Sequence, residues 1–346
     1  MQKVLNALKT FFVVWIWQTF CVRWVWNGFC VNTLYKKFDK WKGWLYLSPA
    51  IILLLIFTVW PIFNTVRMAF LEDYNSLSAV GGATFDFGIG NFTKVVEYKG
   101  FITCLKNTMI LCVITVPIST FLALLIAVCL NAIKPLRRAL QTIFFLPYVT
   151  NSIAIGMVFA AMFQMIGFHF GKENELIQTA GIVNNILEFF GVERINFMNS
   201  GSSYAANMTV MVIYIVWNAL PFKILILLGG LQSVNKQYYE AAKIDSTPRW
   251  RVFTKITVPL LSPMIAYVVI TGFIGGFKEY SSIIGVFGEK MGPGSDPGRL
   301  NTMVGYIYDS LTTNQGTASA AALILFGIIF VVTMINLYVS KKKTHY

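Results

Sequence analysis

Charge is what this sequence has least of. Acidic and basic residues make up 12% of the 346 positions, against roughly 25% in an average soluble domain. A soluble fold needs a charged skin, so a secreted enzyme, a disordered chain, a collagen-like chain and a disulfide scaffold are all excluded. Histidine is nearly missing, with only His169 and His345. The cysteines Cys21, Cys30, Cys104, Cys112 and Cys129 form no CxxC pair. Without convergent His and Cys ligands no metal centre is expected, and no cofactor; the cysteines read as small membrane-embedded hydrophobes. A membrane-embedded enzyme would need a nucleophile–base or metal constellation, and two peripheral histidines supply neither. The phosphate-binding pattern GxxxxGK[ST] is absent, so any ATP must be bound and hydrolysed on another chain. The two halves show no internal symmetry, which a free-standing channel or secondary transporter should show.

What is abundant is apolar sequence, at 56%. A bilayer crossing needs about 20 apolar residues, and six stretches meet that need: Trp44–Val66, Thr108–Leu130, Ile143–Met165, Tyr204–Leu228, Met264–Phe287 and Ala318–Val339. The fold class is therefore all-α, a polytopic membrane protein with six core transmembrane helices and an additional N-terminal hydrophobic helix. That extra piece, Phe11–Val31, carries tryptophans along its length and is interrupted by Gln18, Arg23 and Asn27. Scattered tryptophans suit a helix lying in the interface; an extra span remains the alternative. The chain divides into an N-terminal segment 1–43, a membrane domain 44–340 and a basic tail 341–346.

The net charge of +13 follows the membrane, so nucleic acid is not an expected partner. Lys36, Lys37, Lys40 and Lys42 precede the first span, and Lys134, Arg137 and Arg138 follow the second. Lys236, Lys243, Arg249, Arg251 and Lys255 follow the fourth, and Lys341, Lys342 and Lys343 follow the sixth. Only Asp39, Glu240 and Asp245 oppose them, whereas the alternate, longer loops hold more acids than bases. The positive-inside rule puts both termini in the cytoplasm and the loops after spans one, three and five outside. Those external loops could receive another protein or serve as solvated connections.

Between spans four and five lies LQSVNKQYYEAAKIDSTPRWRVFTKITVPLLSP, residues 231–263. It reads as two short helices. Asn235 can cap the first, and Ser246 or Thr247 the second, with Pro248 in its opening turn. The second should end near Val258, because Pro259 and Pro263 disfavour continuation. Taken by periodicity alone, this is an ordinary amphipathic interfacial loop. Its residue order says more. Glu240, Ala241, Ala242, Asp245, Ile256 and Pro259 match at the right spacing the EAA loop of inner-membrane permeases of binding-protein-dependent ABC importers, which the segment resembles. Ser246 stands where that family usually has glycine, and Val258 where it has leucine. Serine is disfavoured at φ > 0, so a somewhat different turn is expected there.

The resemblance extends from about Gly43 to Lys343. GWLYLSPAIILLLIFTVWPIFNTVRMAF, NTMILCVITVPISTFLALLIAVCLN, RRALQTIFFLPYVT and LGGLQSVNKQYYEAAKIDS are similar to the sugar-importing branch. It implies a non-catalytic subunit in a bacterial inner membrane that forms half of a translocation path for a carbohydrate. Implied partners are membrane lipid, a second homologous permease, two cytoplasmic ATP-binding subunits and an extracytoplasmic solute-binding protein. The coupling loop would act through Glu240, Ala241, Ala242, Asp245, Ser246 and Pro259, the alanines leaving room for another protein surface to approach.

A substrate path should show itself as polar groups at mid-membrane depth. Asn218, Phe222 and Lys223 flank Pro221 in span four. Lys278, Glu279 and Tyr280 follow Gly272, Gly275 and Gly276 in span five. Asn218 and Phe222 share a helix face, as do Gly272, Gly276 and Glu279. An acid beside an aromatic ring suits a sugar's hydroxyls and its apolar face. Alternatively, Lys278 and Glu279 mark a helix end or pair with another subunit. Lys223 and Lys278 also keep open a phosphate-bearing solute such as glycerol phosphate, which Glu279 opposes.

Overall fold

The computed structural model describes residues 42–44, 46–133, 137–170 and 176–343. The segment Phe11–Val31, the lysines Lys36 to Lys40, Lys134 and His345 lie outside them. The chain forms two compact units, Met1–Asn64 and Thr65–Tyr346.

The first apolar run forms α1, Tyr46–Ala69, none of whose most apolar window is buried. Within it, residues Leu55–Val59 form a π-helical turn in which the Trp60 N–H reaches back to the Leu55 carbonyl. Pro61 comes next. A proline ring clashes with the carbonyl four residues before it, and the wider turn relieves that clash.

In the second unit, α2 (Ser76–Val80) and α3 (Gly90–Glu97) lead into α4 (Lys99–Ala132). After α5 (Arg137–Val149) and α6 (Ser152–Phe163) comes an antiparallel hairpin of β1 (Met165–Phe170) and β2 (Leu176–Ala180). Then follow α7 (Ile182–Phe189), α8 (Tyr204–Ser233), α9 (Lys236–Ile244), α10 (Arg249–Leu260) and α11 (Ser262–Phe277). The chain closes with α12 (Ser281–Phe287), α13 (Met303–Leu311) and α14 (Gln315–Lys343). Among the described residues the fold is all-α apart from that hairpin. Four helices among them, α1, α4, α8 and α14, are long and apolar enough to cross a bilayer, and the crossings number up to six when each of two bent pairs counts as one span.

The first bent pair corrects the expectation of one continuous helix over Ile143–Met165, whereas the other turn falls where the loop's second helix was expected to give way to span five. The third span breaks by 98° between α5 and α6. Asn151 is extended there, and its side chain accepts from the Ile153 N–H at 2.9 Å, so it starts a new helix. Tyr214 of α8 donates its hydroxyl to the Ser152 carbonyl, tying down the break. The fifth span is preceded by a 67° turn between α10 and α11. It also stops at Phe277 instead of running to Phe287, and α12 begins only at Ser281.

Three apolar clusters hold this unit together. One joins Leu111, Phe163, Met211, Tyr214 and Ile283 near the hairpin end. A second joins Cys112, Val116, Phe277, Met303 and Ala321. The third, at the opposite end, packs Ala127 and Leu130 of α4 against Leu228 and Leu231 of α8 and against Leu261. That last cluster roots the 231–263 loop in the bundle.

Candidate functional site

Helices α4, α8 and α11 line an open cavity of about 280 Å³. Seven of the residues singled out in the sequence line it: Asn218, Phe222, Lys223, Gly272, Gly275, Gly276 and Glu279. Tyr280 does not; its ring stacks on Tyr308, with centroids 4.6 Å apart. Lys278 is exposed and also lies off the cavity. The sequence reading missed Thr115, Ser119 and Tyr148, which also line it. Thr115 and Ser119 are four apart in an apolar helix, a spacing that puts them on one face. Tyr148 stacks on Phe222 at 5.9 Å, a contact between distant segments that no local pattern announces.

The glycines do more than leave room for a solute. A Cβ on Gly276 would lie 2.9 Å from the Cys112 sulfur, and one on Gly272 would lie 3.1 Å from Val116. They let α11 approach α4 closely. Lys223 is 5% exposed. Its ammonium donates to Ser119 Oγ at 2.6 Å, Thr120 Oγ1 at 3.0 Å and the Val116 carbonyl at 3.3 Å. Three acceptors use its three protons, so it fastens α8 to α4. Glu279 sits at the break between α11 and α12, where its carboxylate accepts from the Ser282 N–H at 3.3 Å. A carboxylate starting a helix explains why an apolar run that looked continuous stops here.

The loop at the other end is built as two short helices. Asn235 caps α9, its side chain accepting from the Gln237 N–H at 3.0 Å. At the far end the Thr247 N–H reaches the Ala242 carbonyl at 2.9 Å, and the Ser246 N–H the Lys243 carbonyl at 3.1 Å. This pair of bonds closes a helix with a left-handed residue, and Ser246 has φ 53°. The site favours glycine and here holds serine. The second helix departs from expectation at both ends. Pro248 is its N-cap, with no side-chain cap from Ser246 or Thr247. It runs past Pro259 to Leu260 because a π-helical turn, Phe253–Thr257, precedes the proline just as in α1. The two alanines also part company: Ala241 is exposed, whereas Ala242 is 6% exposed and faces inward. Glu240, Asp245, Ile244 and Trp250 are exposed beside Ala241.

Membrane crossings packed around a largely apolar cavity that holds Asn218 and Glu279, with a rooted helical loop at one end, define a transport permease. Residues 116–345 match the family described as the binding-protein-dependent transport system inner membrane component, and the chain belongs to that family. It is 29% identical to the lactose transport system permease protein LacF of Rhizobium radiobacter, over 87% of this chain and 93% of that one. It is 30% identical to the arabinooligosaccharides transport system permease protein AraP of Halalkalibacterium halodurans, over 86% and 87%. Its fold is similar to a chain from a bacterial ABC transporter involved in the import of the acidic polysaccharide alginate. The TM-score is 0.71 at 21% identity, covering 90% of this chain and all of that one.

Proposed function

We propose that this permease passes a carbohydrate through the cavity between α4, α8 and α11, and that its 231–263 loop carries the push of a separate ATPase. The observation that carries the reading is the pairing, in one cavity, of a carboxylate and an amide, Glu279 and Asn218, with two aromatic rings, Phe222 and Tyr148. Oriented polar groups among aromatic walls suit a ring that is hydroxylated at its edge and apolar on its face. The names of LacF and AraP agree with this class of solute. The saturated ammonium of Lys223 weighs against glycerol phosphate, because it has no proton left for a phosphate oxygen.

In this reading a second permease completes the path, two ATP-binding subunits dock on the loops, and a solute-binding protein delivers the sugar. The same reading takes the 231–263 segment and both termini as cytoplasmic and the hairpin as external, in a bacterial inner membrane, supported by the basic residues of the loops. The domain limits 1–43, 44–340 and 341–346 follow the same division. The test is uptake by the complete complex in proteoliposomes, with lactose and arabinotriose as the first sugars. Glu279→Gln and Asn218→Ala should each lower uptake without loss of assembly. Wild-type uptake by both variants would remove these residues from the path.

A further inference from the structure

A second and larger cavity, about 810 Å³, opens at the hairpin end of the bundle. Ligand sites usually span about 300–1,000 Å³. One wall is aromatic. Tyr98 stacks on Tyr306 with centroids 5.3 Å apart, and being 54% exposed it keeps an open face. The cations of this cavity are already engaged. Lys94 pairs with Asp73 at 2.6 Å, and the hydrogen bond from Lys94 holds the Asp73 carboxyl below its ordinary range. Arg299 pairs with Asp296 at 2.7 Å and donates to the Ser202 carbonyl at 2.6 Å. Asp309 differs. It accepts from the Asn301 amide at 2.8 Å and pairs with no cation among the described residues.

A strap, residues 299–303, forms the floor. The Asn107 amide donates to the Arg299 and Asn301 carbonyls at 2.9 and 2.8 Å, and the Tyr204 hydroxyl donates to Asn107 Oδ1 at 2.8 Å. Thr108 Oγ1 accepts from the Met303 N–H at 3.0 Å. On its underside the Thr302 hydroxyl donates to the main-chain carbonyl of Glu279 at 2.9 Å. Glu279 lines the inner cavity, so the same short strap closes one chamber and touches the other.

We propose that the outer cavity is a second carbohydrate station, which holds a neutral oligosaccharide at Tyr98 and Asp309 before the strap admits it to the inner cavity. The proposal rests on the carbohydrate reading above. The open face of Tyr98 takes the C–H face of a sugar ring, and the unpaired Asp309 carboxylate accepts its hydroxyls. An anionic sugar meets Asp309 with Lys94 and Arg299 already bound elsewhere, and like charges repel. The station therefore discriminates by charge as well as by shape.

The test uses the complete complex. Thr313→Cys places a thiol on the rim of the outer cavity. Without binding protein or ATP, lactose should slow its modification by a membrane-impermeant thiol reagent, whereas lactobionate, the aldonate of lactose, should not. In uptake, Tyr98→Ala and Asp309→Asn should each raise KM about two- to tenfold, the size of one lost aromatic or polar contact, with kcat nearly unchanged. Where the complex takes up arabinotriose and not lactose, arabinotriose and its aldonate replace the pair. Equal protection by the neutral and anionic sugars would overturn the proposal. So would a transported sugar that gives no protection, or unchanged KM in both variants. A wild-type complex that takes up neither sugar overturns the carbohydrate reading itself.

Discussion

Ser246 shows how one side chain can carry a cost that its neighbours make unavoidable. Its φ of 53° is fixed by the two bonds that close α9. A non-glycine residue in that region costs on the order of 1–3 kcal/mol, and glycine gives back about 0.5–1 kcal/mol of that in chain entropy. Ser246→Gly should therefore leave the turn unchanged and slow hydrogen exchange at the Ser246 and Thr247 amides. Faster exchange there would show that the serine is not strained. Lys223 poses the opposite question, because its charge is buried but fully bonded. Removing acceptors from a buried charge costs more than removing the charge itself. The double variant Ser119→Ala, Thr120→Ala should therefore melt at lower temperature than Lys223→Met in detergent. The hydroxyls of Ser119 and Thr120 also donate to carbonyls of their own helix, so Lys223→Met strands neither. A lower melting point for Lys223→Met would reverse this ordering.

At the scale of elements, the paired prolines and the paired glycines set the geometry. Pro61 and Pro259 each come just after a π-helical turn, and each helix continues past its proline instead of ending before it. Helices α6 and α12 meet backbone to backbone at Gly156 and Gly285: a Cβ on Gly156 would lie 2.7 Å from the Gly285 Cα. Any side chain there forces the helices apart, and overpacking of this kind costs roughly 1–3 kcal/mol. Gly156→Val should lower the melting temperature and the yield of folded protein. Gly229→Ala, with nothing within 4 Å of the new methyl, should be tolerated. Equal effects of the two would remove the close approach as the cause.

The same elements show what could be read in advance. Helical period and the cost of polar groups in lipid found Asn218, Phe222, Lys223 and Glu279 together, because those signals are local. The break at Asn151 was missed because it depends on one side chain capping the next helix inside an apolar run, while the helix end at Glu279 stood only as one of two readings of that charged pair. Tyr148 was missed because only the packing of α5 on α8 brings it to Phe222. Tyr280 was misplaced because the break at Glu279 turns the chain away from the cavity.

At the scale of the whole molecule, the proposed coupling loop must move with the bundle for a distant ATPase to reach the cavity. The cluster of Leu130, Leu228, Leu231 and Leu261 supplies that connection, since it packs the foot of the loop against α4 and α8, two of the helices that line the cavity. Force applied at the loop then reaches the cavity through helices already in contact. The surface proposed to receive it is the exposed side of α9, with Glu240, Ala241, Asp245 and the 84% exposed Ile244; Trp250, at the start of α10, is 73% exposed. A carboxylate bonded to a cation of the partner contributes about 1.5–3 kcal/mol, and the small Ala241 lets the partner come near. Glu240→Ala and Ala241→Trp should therefore leave the permease folded and able to assemble with its second permease, yet reduce co-purification of the ATPase or its stimulation by solute. Ala242→Trp behaves differently, because Ala242 is buried against its own chain; it should lower the melting temperature of the permease alone. The expected pattern is thus a division between neighbours, with docking lost at position 241 and stability lost at position 242. Equal loss of stability at both positions would mean that the exposed side of α9 is not the docking face.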